Sequence, residues 1–209
     1  MFSVVCVLKS GGIYDAEWVR KLRDGVARHL SRPHRFYCLS DVEVPCERIP
    51  LENNWPGWWA KMELFRPGVI TGDTLYIDLD TAITGSLDGM TNFDSDFAMI
   101  RSFANPNQPA SGVMWFRKVP HEVYQKFIKQ PKAWIEHYER TGIGAHIGDQ
   151  GFISDHFPKI DFLTDIFDGI RAYKYHCKHR LLPGTAMVCF QGAPKVNEVH
   201  DEWVLEAWR

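Results

Sequence analysis

Two features that mark whole protein classes are missing from this chain: closely spaced cysteine pairs and a long apolar run. Its five cysteines, Cys6, Cys38, Cys46, Cys177 and Cys189, are odd in number and include no C-x-x-C pair. That excludes a zinc ribbon, a thioredoxin-type redox motif and a complete disulfide framework. Cys6, Cys38 and Cys189 sit in apolar surroundings, as buried free thiols do, and this usage leads to the expectation of a reducing, cytoplasmic setting. No apolar stretch approaches the roughly 20 residues of a membrane span. The opening run from Met1 to Leu8 is apolar but short and has no basic residues before it, so it reads as a first strand, not a signal peptide. The nine histidines form no H-E-x-x-H or H-x-x-x-H pattern, which removes a zinc hydrolase from consideration. A formal net charge of −2 excludes a generally basic nucleic-acid coat, and there is no internal repeat or low-complexity tract.

What is present is ordinary globular material: 209 residues, 45% apolar and 24% charged, enough for one domain over 1–209. Val4 to Leu8 reads as a buried strand ending in Lys9-Ser10-Gly11-Gly12. Asp15 then caps a helix carrying Trp18, Val19, Leu22, Val26 and Leu30. Pro33 closes that segment and His34 to Leu39 is a second strand, with Ser40-Asp41 at its end. Strand, helix, strand predicts an α/β fold: a mostly parallel central sheet flanked by helices. Further on, Trp58 to Phe65 reads as a short helix, and Thr74 to Ile77 as a strand. Phe97 to Ile100, Val113 to Phe116 and Ala186 to Phe190 are also expected strands. Two more helices are expected, one from Pro120 to Ile128 and one from Gln150 to Phe157 with Asp149 as a possible cap.

The chemistry concentrates in Leu75-Tyr76-Ile77-Asp78-Leu79-Asp80-Thr81. Residues i and i+2 of an extended segment share a face, so Asp78 and Asp80 can point to one place. Two like charges about 4 Å apart repel by about 4 kcal/mol at an effective dielectric near 20. At the end of a buried strand that repulsion asks for a counter-charge, which a divalent cation with oxygen ligands supplies.

This D-x-D strand end resembles that of the GT-A glycosyltransferases, and in particular family 8, the glycogenin and bacterial galactosyltransferase type. Three further segments resemble that family in the same order. Ser111-Gly112-Val113-Met114 is similar to its sugar-pocket strand start, and Asp149-Gln150 to its Asp-Gln pair at the reacting centre. Phe190-Gln191-Gly192-Ala193-Pro194-Lys195 is similar to its closing segment, with a phosphate-binding lysine. The resemblance implies a GT-A (Rossmann-like) domain moving a hexose from a nucleotide diphosphate sugar, a UDP-sugar by expectation, to a hydroxyl with retention. It implies Mn²⁺ or Mg²⁺ on Asp78 and Asp80, and donor contacts from Asp78, Ser111, Gly112, Gly192 and Lys195; Ser10, Gly11, Tyr14 and Asp41 are expected near the nucleotide from their places at strand ends, with Lys61 a further donor candidate. Asp149 and Gln150 would lie at the reaction. The family's closing segment usually carries a histidine as third metal ligand, whereas here the neighbourhood offers Cys189 or Gln191. The carbonyl oxygen of Gln191 suits a hard cation, and Cys189 reads as core.

Other features admit two readings each. Lys61 is either a diphosphate contact or a solvated lysine. Trp55, Trp58 and Trp59 are either core or a sugar-stacking acceptor platform, with Trp55 and Trp59 the favoured candidates. The basic segment Arg171 to Arg180 is a surface stretch, a closure over the donor diphosphate, or a nucleic-acid contact. The acceptor is open: a glycan, a protein, a metabolite or a modified nucleic acid. The competing functions are a nucleotide-sugar-binding protein with an eroded metal site and a haloacid-dehalogenase-type phosphatase. The latter expects Thr or Val where Ala82 stands. A sugar nucleotidyltransferase would need a glycine-rich basic loop that Lys9-Ser10-Gly11-Gly12 matches poorly.

Overall fold

In the computed structural model, which describes residues 1–157 and 159–209, the strands run in chain order as β1 (Phe2–Leu8), β2 (His34–Ser40), β3 (Glu47–Pro50), β4 (Thr74–Ile77), β5 (Thr81–Ile83), β6 (Phe97–Arg101), β7 (Pro109–Phe116), β8 (Asp161–Phe162), β9 (Ile170–Ala172) and β10 (Met187–Cys189). The helices are α1 (Ala16–His29), α2 (His121–Phe127), α3 (Pro131–Thr141), α4 (Gly148–His156), α5 (Leu163–Ile166) and α6 (Glu202–Ala207).

Seven strands form the central sheet in the order β3-β2-β1-β4-β7-β6-β8, and β5-β10-β9 form a smaller one. β1 pairs in parallel with both β2 and β4, and α1 forms the crossover between β1 and β2. β7 alone runs against its neighbours β4 and β6. The expected mostly parallel α/β sheet is therefore what forms. One consequence matters for function: the C-terminal ends of β1 and β4 and the start of β7 meet at the same edge.

Alternation along the strands divides the core in two. Val4, Cys6, Leu75, Ile77 and Trp115 face α1 and the small sheet, with Trp18, Val19, Leu22 and Val26 packed on them. Val5, Tyr37, Tyr76, Met114 and Phe116 face the other way, onto Trp59, Phe65, Phe127 and Phe152. Asp15 caps α1 as its position predicts, accepting from Glu17 N and Trp18 N.

Three local details refine the expectations. The short helix expected from Trp58 forms as a 3-10 helix over Gly57–Phe65, entered through Pro56 and Gly57. α4 begins at Gly148, so Asp149 lies inside its first turn and Ile147 holds the cap position. Gly148 has a φ of +63°, a left-handed conformation glycine takes without strain, and this turns the chain into α4. The basic segment is ordered as a π-helical turn over Tyr173–Cys177, fixed by stacking of Tyr173 on Phe190 at 4.7 Å.

Candidate active site

β4 delivers Asp78 and Asp80 to the sheet edge, and the backbone anchors both. Asp78 N donates to Gly112 O at 2.9 Å, and Phe190 N donates to Asp80 O at 2.9 Å. The two carboxylates have different surroundings. Asp78 accepts a short hydrogen bond from the Tyr76 hydroxyl and lies 3.3 Å from Lys61 Nζ. Burial, reinforced by the charges of Asp80 and Asp149 and opposed by Lys61 and Tyr76, pushes the Asp78 carboxyl up to about 6. Asp80 accepts from the Tyr14 hydroxyl at 2.9 Å and pairs with the Lys195 ammonium through the same oxygen. Burial and then the Asp80 charge hold the Tyr14 phenol well above its ordinary value, so it stays a donor.

Lys61 is the hub of the first half. The solvated reading of this lysine fails: it is 7% exposed, with Nζ 3.3 Å from Asp149 Oδ2 and 3.1 Å from Ser111 Oγ. Burial disfavours its charge, but Asp149 and Asp78 together keep the ammonium above the usual lysine range. Asp149 is itself only 4% exposed, and its Oδ2 meets the ammonium as an ion without a directional hydrogen bond. Its neighbour Gln150 accepts from Ser111 N at 3.3 Å, which ties α4 to the start of β7. Lys61, Asp78, Ser111, Gly112, Asp149 and Gln150 thus form one cluster, assembled from four separate elements.

A second group lies at the end of β1. Asp41, just past β2, accepts from Ser10 N at 2.9 Å and Ser10 Oγ at 2.7 Å and pairs with Lys9. Burial opposes ionisation there, yet Lys9 and Ser10 outweigh it and hold the Asp41 carboxyl down at about 2. Gly11, exposed and at φ +88°, carries the chain through the turn that follows.

The closing segment supplies the third side. Cys189 is 3% exposed in β10, and burial followed by the Asp80 charge pushes its thiol far above the ordinary range, so it is core. Gln191 is half-buried two residues further on and makes no side-chain hydrogen bond among the described residues. Gly192 takes φ +69°, and a Cβ there would stand 3.0 Å from Lys174 Nζ. Lys174 forms no ion pair among the described residues. Arg171 pairs with Asp168 at 2.9 Å and, with His176, lines a cavity of about 450 Å³, whereas Lys178, His179 and Arg180 are exposed, as the surface reading of this segment expects.

Two carboxylates at one strand end, with oxygen donors and no available thiolate, fit a hard divalent cation in ligand chemistry. No group of three or more His, Cys, Asp or Glu side chains gathers here among the described residues, so most of such an ion's coordination would be left to other oxygens.

Sequence reasoning missed Tyr76 and Lys9, held Lys174 only within the basic segment, and misjudged the tryptophans. Trp55 and Trp59 are core at 8% and 1% exposure, packed on Phe127, whereas Trp58 is 49% exposed. A 3-10 helix turns 120° per residue, so adjacent tryptophans cannot share a face. Tyr76 was legible as the residue two before Asp78 on the same strand face.

No protein-family model matches the sequence, and no curated protein sequence does either. Solved structures match throughout. The glycosyltransferase GlyE of Streptococcus pneumoniae TIGR4 superposes with a TM-score of 0.67 at 17% identity, over 100% of this chain and 62% of GlyE. The galactosyltransferase LgtC, solved with donor and acceptor sugar analogues, gives 0.62 at 15% identity, over 99% of this chain and 91% of LgtC. The bifunctional glycosyltransferase WbbM gives 0.60 at 10% identity, over 98% of this chain and 50% of WbbM. The chain adopts the GT-A glycosyltransferase fold, and it spans under two thirds of the length of GlyE.

Proposed function

We propose that residues 1–209 act as one domain, a glycosyltransferase that moves a hexose from a nucleotide diphosphate sugar, a UDP-sugar by its family resemblance, to a hydroxyl acceptor. The observation that carries this reading is the convergence of Asp78, Asp80, Lys61 and Lys195 at the carboxyl edge of the sheet on a GT-A fold. The fold likeness leaves the phosphatase reading without support.

The chain's own groups then have distinct tasks. Ser10, Gly11 and Asp41, braced by Lys9, form the nucleotide end. Tyr14 and Lys195 both stand on Asp80, and the Lys195 ammonium is the point charge for a diphosphate oxygen. Lys174, unpaired beside Gly192, closes over the same diphosphate, and Gly192 leaves room for its ammonium. Ser111 and Gly112 border the sugar. Asp149, being buried against Lys61, acts by holding that ammonium, and Gln150, tied to the start of β7, would lie near the anomeric carbon. Asp78 and Asp80, with the Gln191 carbonyl, would hold Mn²⁺ or Mg²⁺, which when bound supplies Lewis acidity toward the departing diphosphate. In the transfer, the anomeric carbon–oxygen bond to phosphate breaks and a bond to the acceptor oxygen forms. The acceptor proton passes to the leaving phosphate oxygen, with retention. Five free cysteines support a cytoplasmic setting.

One observation favours a second reading. A buried neutral thiol stands in the closing segment near the family's usual histidine, as in a protein that binds nucleotide sugars without turning them over. Calorimetric titration of a UDP-sugar panel with and without Mn²⁺ tests the donor site. The proposal expects binding that Mn²⁺ tightens in the wild type and not in Asp80→Ala. Equal binding to both proteins removes the carboxylate pair from the account, and binding with no nucleoside diphosphate released establishes the second reading.

A further inference from the structure

Trp58 is an exposed aromatic residue beside this machinery. Half of its surface is open to solvent, while its neighbours Trp59 to Phe65 are all buried. Its place is fixed from both ends. Side chains three apart in a 3-10 helix eclipse one another, so Trp58 stands directly above Lys61, one turn nearer solvent, and Lys61 holds Asp78 and Asp149. On its other side the indole lies against Gly148: a Cβ at Gly148 would meet Trp58 Nε1 at 2.4 Å and two ring carbons at 3.0 Å. Gly148 immediately precedes Asp149 and Gln150. The 3-10 helix is itself anchored, because the buried Glu63 carboxylate accepts from Glu52 N at 2.9 Å and Asn53 N at 2.7 Å. The indole is therefore seated against the start of α4, open on one side, and adjacent to Asp149 and Gln150.

We infer that Trp58 is the stacking platform of the acceptor subsite, and that the acceptor is a carbohydrate. This rests on the glycosyltransferase reading of the site. The C–H face of a pyranose lies flat on an indole, while its hydroxyls project from the ring edge, here toward Gln150. A nucleic-acid acceptor would need cations beside the stacking ring to meet its backbone. The chain from Asn53 to Trp59 carries no charge, Lys61 beneath Trp58 is buried and held by Asp78 and Asp149, and Lys174 of the basic segment lies by Gly192. Position and charge both favour a neutral sugar.

Wild type, Trp58→Ala and Trp58→Phe are compared in two measurements. Calorimetry with UDP, GDP, ADP, CDP and dTDP reads the donor site. Saturation-transfer NMR of the nucleotide-saturated protein with lactose, maltose and cellobiose reads the acceptor site. The expected result is one nucleoside diphosphate bound within twofold by all three proteins, with saturation transfer to a disaccharide cut at least fivefold in Trp58→Ala and partly kept in Trp58→Phe. Unchanged transfer in Trp58→Ala, no disaccharide contact with a wild type that binds nucleotide, or a parallel loss of nucleotide binding each overturns the platform. So does a Trp58→Ala defect confined to a hexanucleotide or a peptide. A wild type that binds none of the five nucleotides instead fails the glycosyltransferase reading itself.

Discussion

Replacing Lys61 by Met removes one charge from a site that holds three ions together. At 3.3 Å from each of Asp78 and Asp149, the ammonium gains about 5 kcal/mol per pair at an effective dielectric of 20, or about 10 kcal/mol gross. Most of that offsets the desolvation of the three groups, so the gross figure is not the cost of the change. The cost is the exposure of Asp149 as an uncompensated charge at 4% accessibility, about 3–5 kcal/mol. That is a large part of the roughly 5–15 kcal/mol available to a domain. Removing Asp149 instead, as Asp149→Asn, leaves Lys61 with Asp78 and is expected to cost about 1–3 kcal/mol. The double variant has no unpaired buried charge from this pair and is expected to regain about 2 kcal/mol or more over Lys61→Met. Urea denaturation of the four proteins at pH 7 measures the cycle. A Lys61→Met cost below about 1 kcal/mol, or costs that simply add in the double variant, would refute the hub role of Lys61.

Three other outcomes follow from the same geometry. Lys174→Met should weaken donor binding about tenfold, as loss of one charge-assisted contact does, with little change in melting temperature; steady-state KM for the donor checks it. Asp41 has a carboxyl depressed to about 2, so its stabilisation is fully present above the unfolded value near 4 and disappears as pH falls through about 2. Asp41→Asn should therefore cost about 1–2 kcal/mol at pH 7 after allowance for its partial exposure, and the gap to wild type should shrink on acid titration followed by circular dichroism. Gly148→Ala places a methyl group into the Trp58 indole, and it should impair acceptor use more than donor binding.

Much of this arrangement was legible in the sequence, for identifiable reasons. The apolar strand running into Asp78-Leu79-Asp80 announces a carboxylate pair at a sheet edge, and the β1–α1–β2 order announces parallel pairing. Asp15 as the α1 cap follows from local chemistry alone. What was not legible depended on period or on distant partners. Over nine residues, a repeat of three and one of 3.6 cannot be told apart, and that difference exchanges Trp58 with Trp59 between solvent and core. Asp149 looked like a cap because it precedes a helical run; only the fold shows that it faces Lys61 from a different element. Cys189 was readable as core from its apolar neighbours, and its burial in β10 agrees.

The central claim is transfer from a nucleotide sugar through the Asp78–Asp80 edge. Its most direct test is release of nucleoside diphosphate from a panel of nucleotide sugars in the presence of Mn²⁺, with wild type and Asp80→Ala assayed together. The account predicts release from one donor, lost on chelation and in the Asp80→Ala protein. A wild type that neither binds nor cleaves any donor, or a release that Asp80→Ala leaves intact, would contradict it.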